Sequence, residues 1–109
     1  MLMLFLLPQA KLKTINGEVI RVQNGDTLTV KTKRDRLYKV RLANIDAPEI
    51  SQPFGKQATR RVKDLVLKKT IRVDYTFKDK DGRVIGELIL PEGKLLNEEM
   101  LRAGLAWHY

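Results

Sequence analysis

Residues 18–32, Glu18-Val19-Ile20-Arg21-Val22-Gln23-Asn24-Gly25-Asp26-Thr27-Leu28-Thr29-Val30-Lys31-Thr32, read as two strands joined by a tight turn. Leu28, Val30 and Thr32 share one face while Thr27, Thr29 and Lys31 share the other, the period-two alternation of a half-buried strand. Glu18 to Gln23 supplies the partner strand. Asn24-Gly25 is a dipeptide of two-residue hairpin turns, because both residues tolerate positive φ. The reading predicts a first hairpin closed at Asn24-Gly25, with Asp26 just beyond the turn.

Downstream, Lys33-Arg34-Asp35-Arg36 is a polar turn, and Tyr38, Val40 and Leu42 alternate with Lys39 and Arg41 in a third strand. Asp46 and Glu49 then fall in a loop. From Gln52 to Lys69 the period changes: Phe54, Ala58, Val62, Leu65 and Val66 recur at helical spacing, Ser51 can cap the start, and Lys68-Lys69 suits the negative C-terminal end. Ile71, Val73, Tyr75 and Phe77 alternate against Arg72, Asp74 and Thr76 as a fourth strand, and Val84 to Leu90 follows the Lys78 to Gly82 turn as a fifth. Leu95 to Ala103 reads as a second short helix with Asn97, Glu98 and Glu99 near its start and Gly104 placed to end it. The class is mainly β with helices, α+β. Five strands with one helix after the third and a short C-terminal helix fit a Greek-key barrel of the oligonucleotide/oligosaccharide-binding (OB-fold) type.

A length of 109 residues allows one small domain, assigned to residues 11–109. Met1 to Leu7 is an unbroken apolar run closed by Pro8, too short for a bilayer span of about 20 residues. Residues 1–10 are expected to be an apolar leader or an extra strand that packs on this domain or pairs two copies into a dimer. With 21 Lys+Arg against 13 Asp+Glu the net charge is +8, which draws a polyanion such as nucleic acid, anionic lipid or an acidic protein; solubility alone is the plain alternative. No cysteine and a single histidine, His108, exclude a Cys/His zinc site and a cysteine nucleophile. A serine triad would have to join His108 to Ser51, the one serine. Metal chemistry, if present, runs on oxygen ligands.

Such ligands stand at the presumed turns. Asp26, and Asp46 with Glu49 around the stiffening Pro48, could address one hard cation and its water. Arg41 lies on the face of strand three opposite Val40 and Leu42, and Arg83 opens strand five, so a closed barrel could bring both to the same mouth, where guanidinium groups match the charge of an attacked phosphodiester. Solvated loop acids and surface ion pairs are the plain alternatives for each of these residues taken singly.

The order of these segments resembles the staphylococcal nuclease, or thermonuclease, family over roughly Glu18 to Tyr109: Val22-Gln23-Asn24-Gly25-Asp26-Thr27, Val40-Arg41-Leu42-Ala43-Asn44-Ile45-Asp46-Ala47-Pro48-Glu49, Asp79-Lys80-Asp81-Gly82-Arg83, and Leu95-Leu96-Asn97-Glu98 through Gly104-Leu105-Ala106. The resemblance implies an OB-type barrel and calcium-dependent hydrolysis of DNA and RNA with 3′-phosphate products. It makes Asp26, Asp46 and the backbone carbonyl of Ala47 the ligands of one Ca2+. Glu49 becomes the group that orients or deprotonates the attacking water, and Arg41 and Arg83 the phosphate-binding groups. Lys80 and Tyr109 are expected at the substrate. The family often has Thr at the position of Ala47 and commonly Tyr at that of Asp81, where a carboxylate repels phosphate; it usually continues past Ala106 with nucleotide-contacting tyrosines and a third helix. Trp107 and Tyr109 could stack on bases, although packing against the barrel is the expected role of Trp107.

Two functional readings follow. One is a broadly acting phosphodiesterase on DNA, RNA or both, since nothing resembles a base-reading helix. The other is a module that binds nucleic acid or protein without cleaving. Calcium use favours a secreted or periplasmic setting, with a cytoplasmic one open.

Overall fold

A computed structural model describes residues 11–109, so the apolar run at 1–10, and any dimer made through it, lie outside the described residues. The elements are β1 (Lys13–Asn24), β2 (Thr27–Lys31), β3 (Leu37–Leu42), β4 (Ile45–Asp46), α1 (Gly55–Val66), β5 (Thr70–Lys78), β6 (Val84–Ile89), α2 (Leu96–Arg102) and β7 (Trp107–His108). Five strands close a barrel in the order β1-β2-β3-β6-β5, with β5 returning to β1, and β4 pairs with β7 in a small separate ribbon. This is the expected OB-type barrel, with α1 between β3 and β5. Among the described residues, only β3 and β6 pair in parallel.

Alternation builds the core as anticipated: Leu28, Val30, Val40, Leu42, Val73, Val84 and Leu88 point inward and are buried, each worth about 1.5–3 kcal/mol relative to exposure. Ala58, Val62 and Val66 of α1 and Leu96 and Met100 of α2 complete it. Among the described residues, no helix is long and apolar enough to cross a membrane.

Four local expectations are corrected. First, β1 starts at Lys13 rather than Glu18: residues 13–18 pair with β5 and residues 18–24 with β2, the second half carrying register irregularities at Val19/Arg21 and Val22/Asn24. Gly17 hides that first half, for it leaves a gap in the alternation, yet a Cβ there would stand 2.5 Å from the Lys31 carbonyl oxygen. Second, Asn24 pairs with Thr27, so the turn residues are Gly25 and Asp26, one place later than read. Neither has a positive φ. Gly25 is required by packing instead, since its Cβ would lie 2.8 Å from the Cβ atoms of both Ala47 and Ala58.

Third, α1 begins at Gly55 rather than Gln52, and Ser51 does not cap it. The residue before it, Phe54, is left-handed at φ 66°, and no side chain caps the helix. Residues 49–54 are instead coiled into turns in which Gln52 N–H bonds the Glu49 carbonyl and Gly55 N–H the Gln52 carbonyl. Phe54, read as part of the buried face, is exposed as a result. Fourth, α1 stops at Val66, before Lys68-Lys69: Leu67 is extended, and the Lys68 amide and Lys69 carbonyl both bond Val19 of β1. The second helix ends as expected, with Gly104 at φ 70° and hydrogen bonds from Gly104 to Leu101 and from Leu105 to Met100.

Candidate active site

Asp26 is buried to 7% exposure although it is an acid in a hairpin turn. The Asn24 side chain holds its amide at 3.0 Å, the Thr27 hydroxyl donates to Oδ1 at 2.9 Å, and the Ala47 amide donates to Oδ2 at 2.9 Å. Its carbonyl accepts from Leu42 N–H at the end of β3. Turn and following loop are thus locked together through one carboxylate.

Arg41 stands opposite Thr27 in the β2–β3 register and projects outward beside that carboxylate. Its Nη1 donates to the Leu42 and Ile45 carbonyls at 2.8 and 2.7 Å. Its Nη2 donates to Asp46 Oδ1 and lies 3.5 Å from Asp26 Oδ2. Two carboxylates therefore converge on one cationic nitrogen, and Asp46, 41% exposed against 10% for Asp26, marks the solvent side. Burial without this countercharge would be costly for Asp26.

The same convergence tests the fit of a hard cation. Asp26 and Asp46 supply anionic oxygens to a common point, and among the described residues the Ala47 carbonyl accepts no hydrogen bond, which leaves it free as a third donor. No cluster of three or more Asp, Glu, His or Cys suited to a metal occurs among the described residues, so a cation here would complete its shell with backbone and water oxygens, as calcium does. The donor set fits Ca2+.

Glu49 follows Pro48 on the loop leaving the pair. Its amide bonds Gln52 Oε1 at 2.7 Å, and its carboxylate is exposed and makes no hydrogen bond or ion pair among the described residues. Gly55 presses on its backbone, for a Cβ there would lie 1.8 Å from the Glu49 carbonyl oxygen.

Arg83 lies in the turn that leads into β6 and is held by another partner. Arg41 registers with Ile85 across the parallel β3–β6 pair, two residues beyond Arg83 in the chain. Its Nε donates to Asp79 Oδ2 at 2.8 Å and its amide to Asp79 Oδ1 at 2.9 Å. No hydrogen bond or ion pair among the described residues links it to Asp26, Arg41 or Asp46. Desolvation opposes ionisation of Asp79, but the amide and guanidinium of Arg83 and the Asp81 amide outweigh it and hold the carboxyl below its ordinary value. Lys80 is exposed on the same turn, away from the cluster's contacts. Tyr109 reaches the site, its ring centroid 5.6 Å from the Arg41 guanidinium.

Trp107 departs from the expected packing role. Its backbone pairs with Asp46, while its half-exposed ring lines a cleft of about 270 Å3 with Pro48, Pro53, Phe54 and Leu105. The supporting roles of three residues named in the sequence, Asn24, Asp79 and Asn97, were not read from it. Asn24-x-Asp26 carried the spacing of an Asx turn and Asp79-x3-Arg83 that of an i,i+4 pair, but buried Asn97 gave no local signal. Its side chain accepts from Leu88 N–H and donates to the Ala43 carbonyl at 3.0 Å, pinning α2 and β6 to the loop that begins the site.

Fold and site together define a small OB-type barrel carrying a carboxylate–arginine centre at one mouth. A family model described as staphylococcal nuclease homologue matches residues 39–109, and the chain belongs to that family. It is 44% identical over 95 residues to a protein of Escherichia coli named an endonuclease, covering 87% of this chain and 61% of that relative. A micrococcal nuclease of Shigella flexneri is 39% identical over 101 residues, covering 85% of this chain and 58% of its own length. A staphylococcal-like nuclease of Arabidopsis thaliana is 36% identical over 91 residues, with 84% and 26% covered. The chain thus spans about three fifths or less of each of these relatives.

Proposed function

We propose that this chain is a calcium-dependent nuclease that hydrolyses phosphodiester bonds of DNA, and also of RNA, with little sequence preference and leaves 3′-phosphate ends. The observation that carries this reading is the convergence of Asp26 and Asp46 on the Arg41 guanidinium, in a member of a nuclease family. Asp26, Asp46 and the Ala47 carbonyl would hold the ion, which when bound neutralises phosphate charge and makes water more acidic. Glu49, whose exposed carboxylate has no partner among the described residues, accepts the proton of the attacking water. Arg41, anchored through Nη1 on the Leu42 and Ile45 carbonyls, would give its guanidinium charge to the phosphate. Arg83 supplies a second guanidinium where charge accumulates in the transition state. Tyr109 and Lys80 contact the nucleotide. Calcium use fits a secreted or periplasmic setting. Binding without cleavage is the second reading, and the engagement of Arg83 by Asp79 is the observation in its favour.

The test is the end chemistry of 5′-labelled single-stranded DNA incubated with calcium, with magnesium and with chelator. The reading expects calcium-dependent fragments that run as 3′-phosphates. Fragments ending in 3′-hydroxyls, or intact DNA with a folded protein, would contradict it.

A further inference from the structure

The far end of the β2–β3 hairpin holds a wide cleft that belongs to no part of the site above. A cleft of about 820 Å3 is walled by Asn16 to Glu18 of β1, Thr70 of β5, Tyr38 of β3 and the whole turn from Lys31 to Arg36. That turn carries Lys31, Lys33, Arg34 and Arg36 against a single acid, Asp35, which is already paired with Lys31 at 3.3 Å. Lys33, Arg34 and Arg36 are exposed and, among the described residues, make no ion pair. Their backbone is fixed: Thr32 N–H bonds the Arg36 carbonyl at 2.9 Å, Asp35 N–H bonds the Thr32 carbonyl at 3.0 Å, and the Thr32 hydroxyl accepts from Arg36 N–H at 3.2 Å. Unpaired cations on a rigid turn at the lip of a cleft lose little backbone freedom on binding an anion.

The position relative to the acid–arginine site specifies the anion. On the outer face of β3 the sequence runs Arg41, Lys39, Leu37, with Lys39 exposed and without an acidic partner among the described residues. At about 3.3 Å per residue, Arg41 and Leu37 are about 13 Å apart, and the basic turn follows directly. Side chains on one face recur about every 6.6 Å, comparable with the repeat of phosphates along a nucleic-acid strand.

We infer that the cleft at the β2–β3 turn is a second phosphate-binding site, in which Lys33, Arg34 and Arg36 hold the polynucleotide several phosphates away from the cleaved bond, with Lys39 between. The inference rests on the nucleic-acid reading of the acid–arginine site. It makes the far end a determinant of affinity for long substrates and leaves the chemical step alone.

The experiment compares Lys33→Ala/Arg34→Ala/Arg36→Ala with a control that removes the same charge elsewhere, Lys56→Ala/Arg60→Ala/Lys63→Ala on the exposed side of α1. Two readouts are used: fluorescence anisotropy of a long labelled single strand in chelator across salt concentrations, and cleavage of that strand and of a trinucleotide. The turn variant is expected to reduce the salt slope of binding by about 2, since each phosphate contact on a single strand contributes about 0.7. It should raise KM on the long strand at least tenfold beyond the control while kcat, and cleavage of the trinucleotide, stay at wild-type values. Equal losses in both variants would reduce the effect to net charge and overturn the inference. So would an unchanged salt slope, or binding to anionic phospholipid vesicles in place of DNA. Because anisotropy is read without cleavage, an inactive protein that still loses its slope in the turn variant fails the nuclease reading and keeps the second site.

Discussion

At the residue scale, the centre depends on a charge balance of two carboxylates and one guanidinium. Arg41→Ala leaves Asp26 buried beside Asp46 without countercharge. Its nuclease rate is expected to fall by about 10²–10³-fold, the usual cost of one electrostatic donor at a reacting group. The same variant should gain more thermal stability from calcium than the wild type does, which calcium titrations followed by melting would show. Asp79 gives a pH prediction of definite sign. Its folded-state pKa lies below the unfolded value, so its stabilisation is complete above the ordinary carboxylate range and is lost as pH falls through the lowered value. Asp79→Asn should therefore flatten the acid limb of a urea-unfolding series recorded against pH, with no such change near neutrality. An unaltered acid limb would place the arginine clamp elsewhere.

Elements supply the positions that those residues cannot set for themselves. Gly55 starts α1 with its Cα against the Glu49 backbone, so Gly55→Ala must push the loop away from the helix. Activity is expected to fall on the order of 10²-fold with DNA affinity retained, the signature of a misplaced group rather than a lost one, read as kcat against KM. Asn97→Ala orphans the Leu88 amide and the Ala43 carbonyl, and at about 1–3 kcal/mol for each group it should cost about 2–6 kcal/mol in urea unfolding. These links show where sequence reading stops. Leu28, Val30, Val40 and Val73 announce their strands because period two is a local property, and Asp26 and Asp46 stand out as charges at a predicted turn and loop, with Arg41 on the polar face of a predicted strand. That Arg41 Nη2 bridges both acids depends on the β2–β3 register, and that Phe54 adopts a left-handed backbone depends on the packing of Gly55, so neither is visible in spacing. Gly17 concealed half of β1 for the opposite reason, since its function is to carry no side chain.

As a whole molecule, the chain is a small barrel of net charge +8 with Asp26, Asp46 and Arg41 gathered at one mouth, the proposed place of a cation and a phosphate. A ligand that needs both parts of that mouth should stabilise the fold by mass action: calcium with a nucleoside 3′,5′-bisphosphate at 100 times its Kd is worth about 2.7 kcal/mol, and each alone should give less. Absence of any upward shift in melting at saturation would contradict the proposed ligand set. The overall fold was legible in the sequence because each strand buries one face, whereas the pairing of Arg83 with Asp79 belongs to the folded turn. The most direct measurement is the release of acid-soluble nucleotide from heat-denatured DNA, with calcium and with chelator, by the native protein, Glu49→Gln and Arg83→Ala. The account predicts calcium-dependent release that falls by about 10²-fold or more in both variants. Release that persists in chelator, or in Glu49→Gln at the native rate, would contradict it.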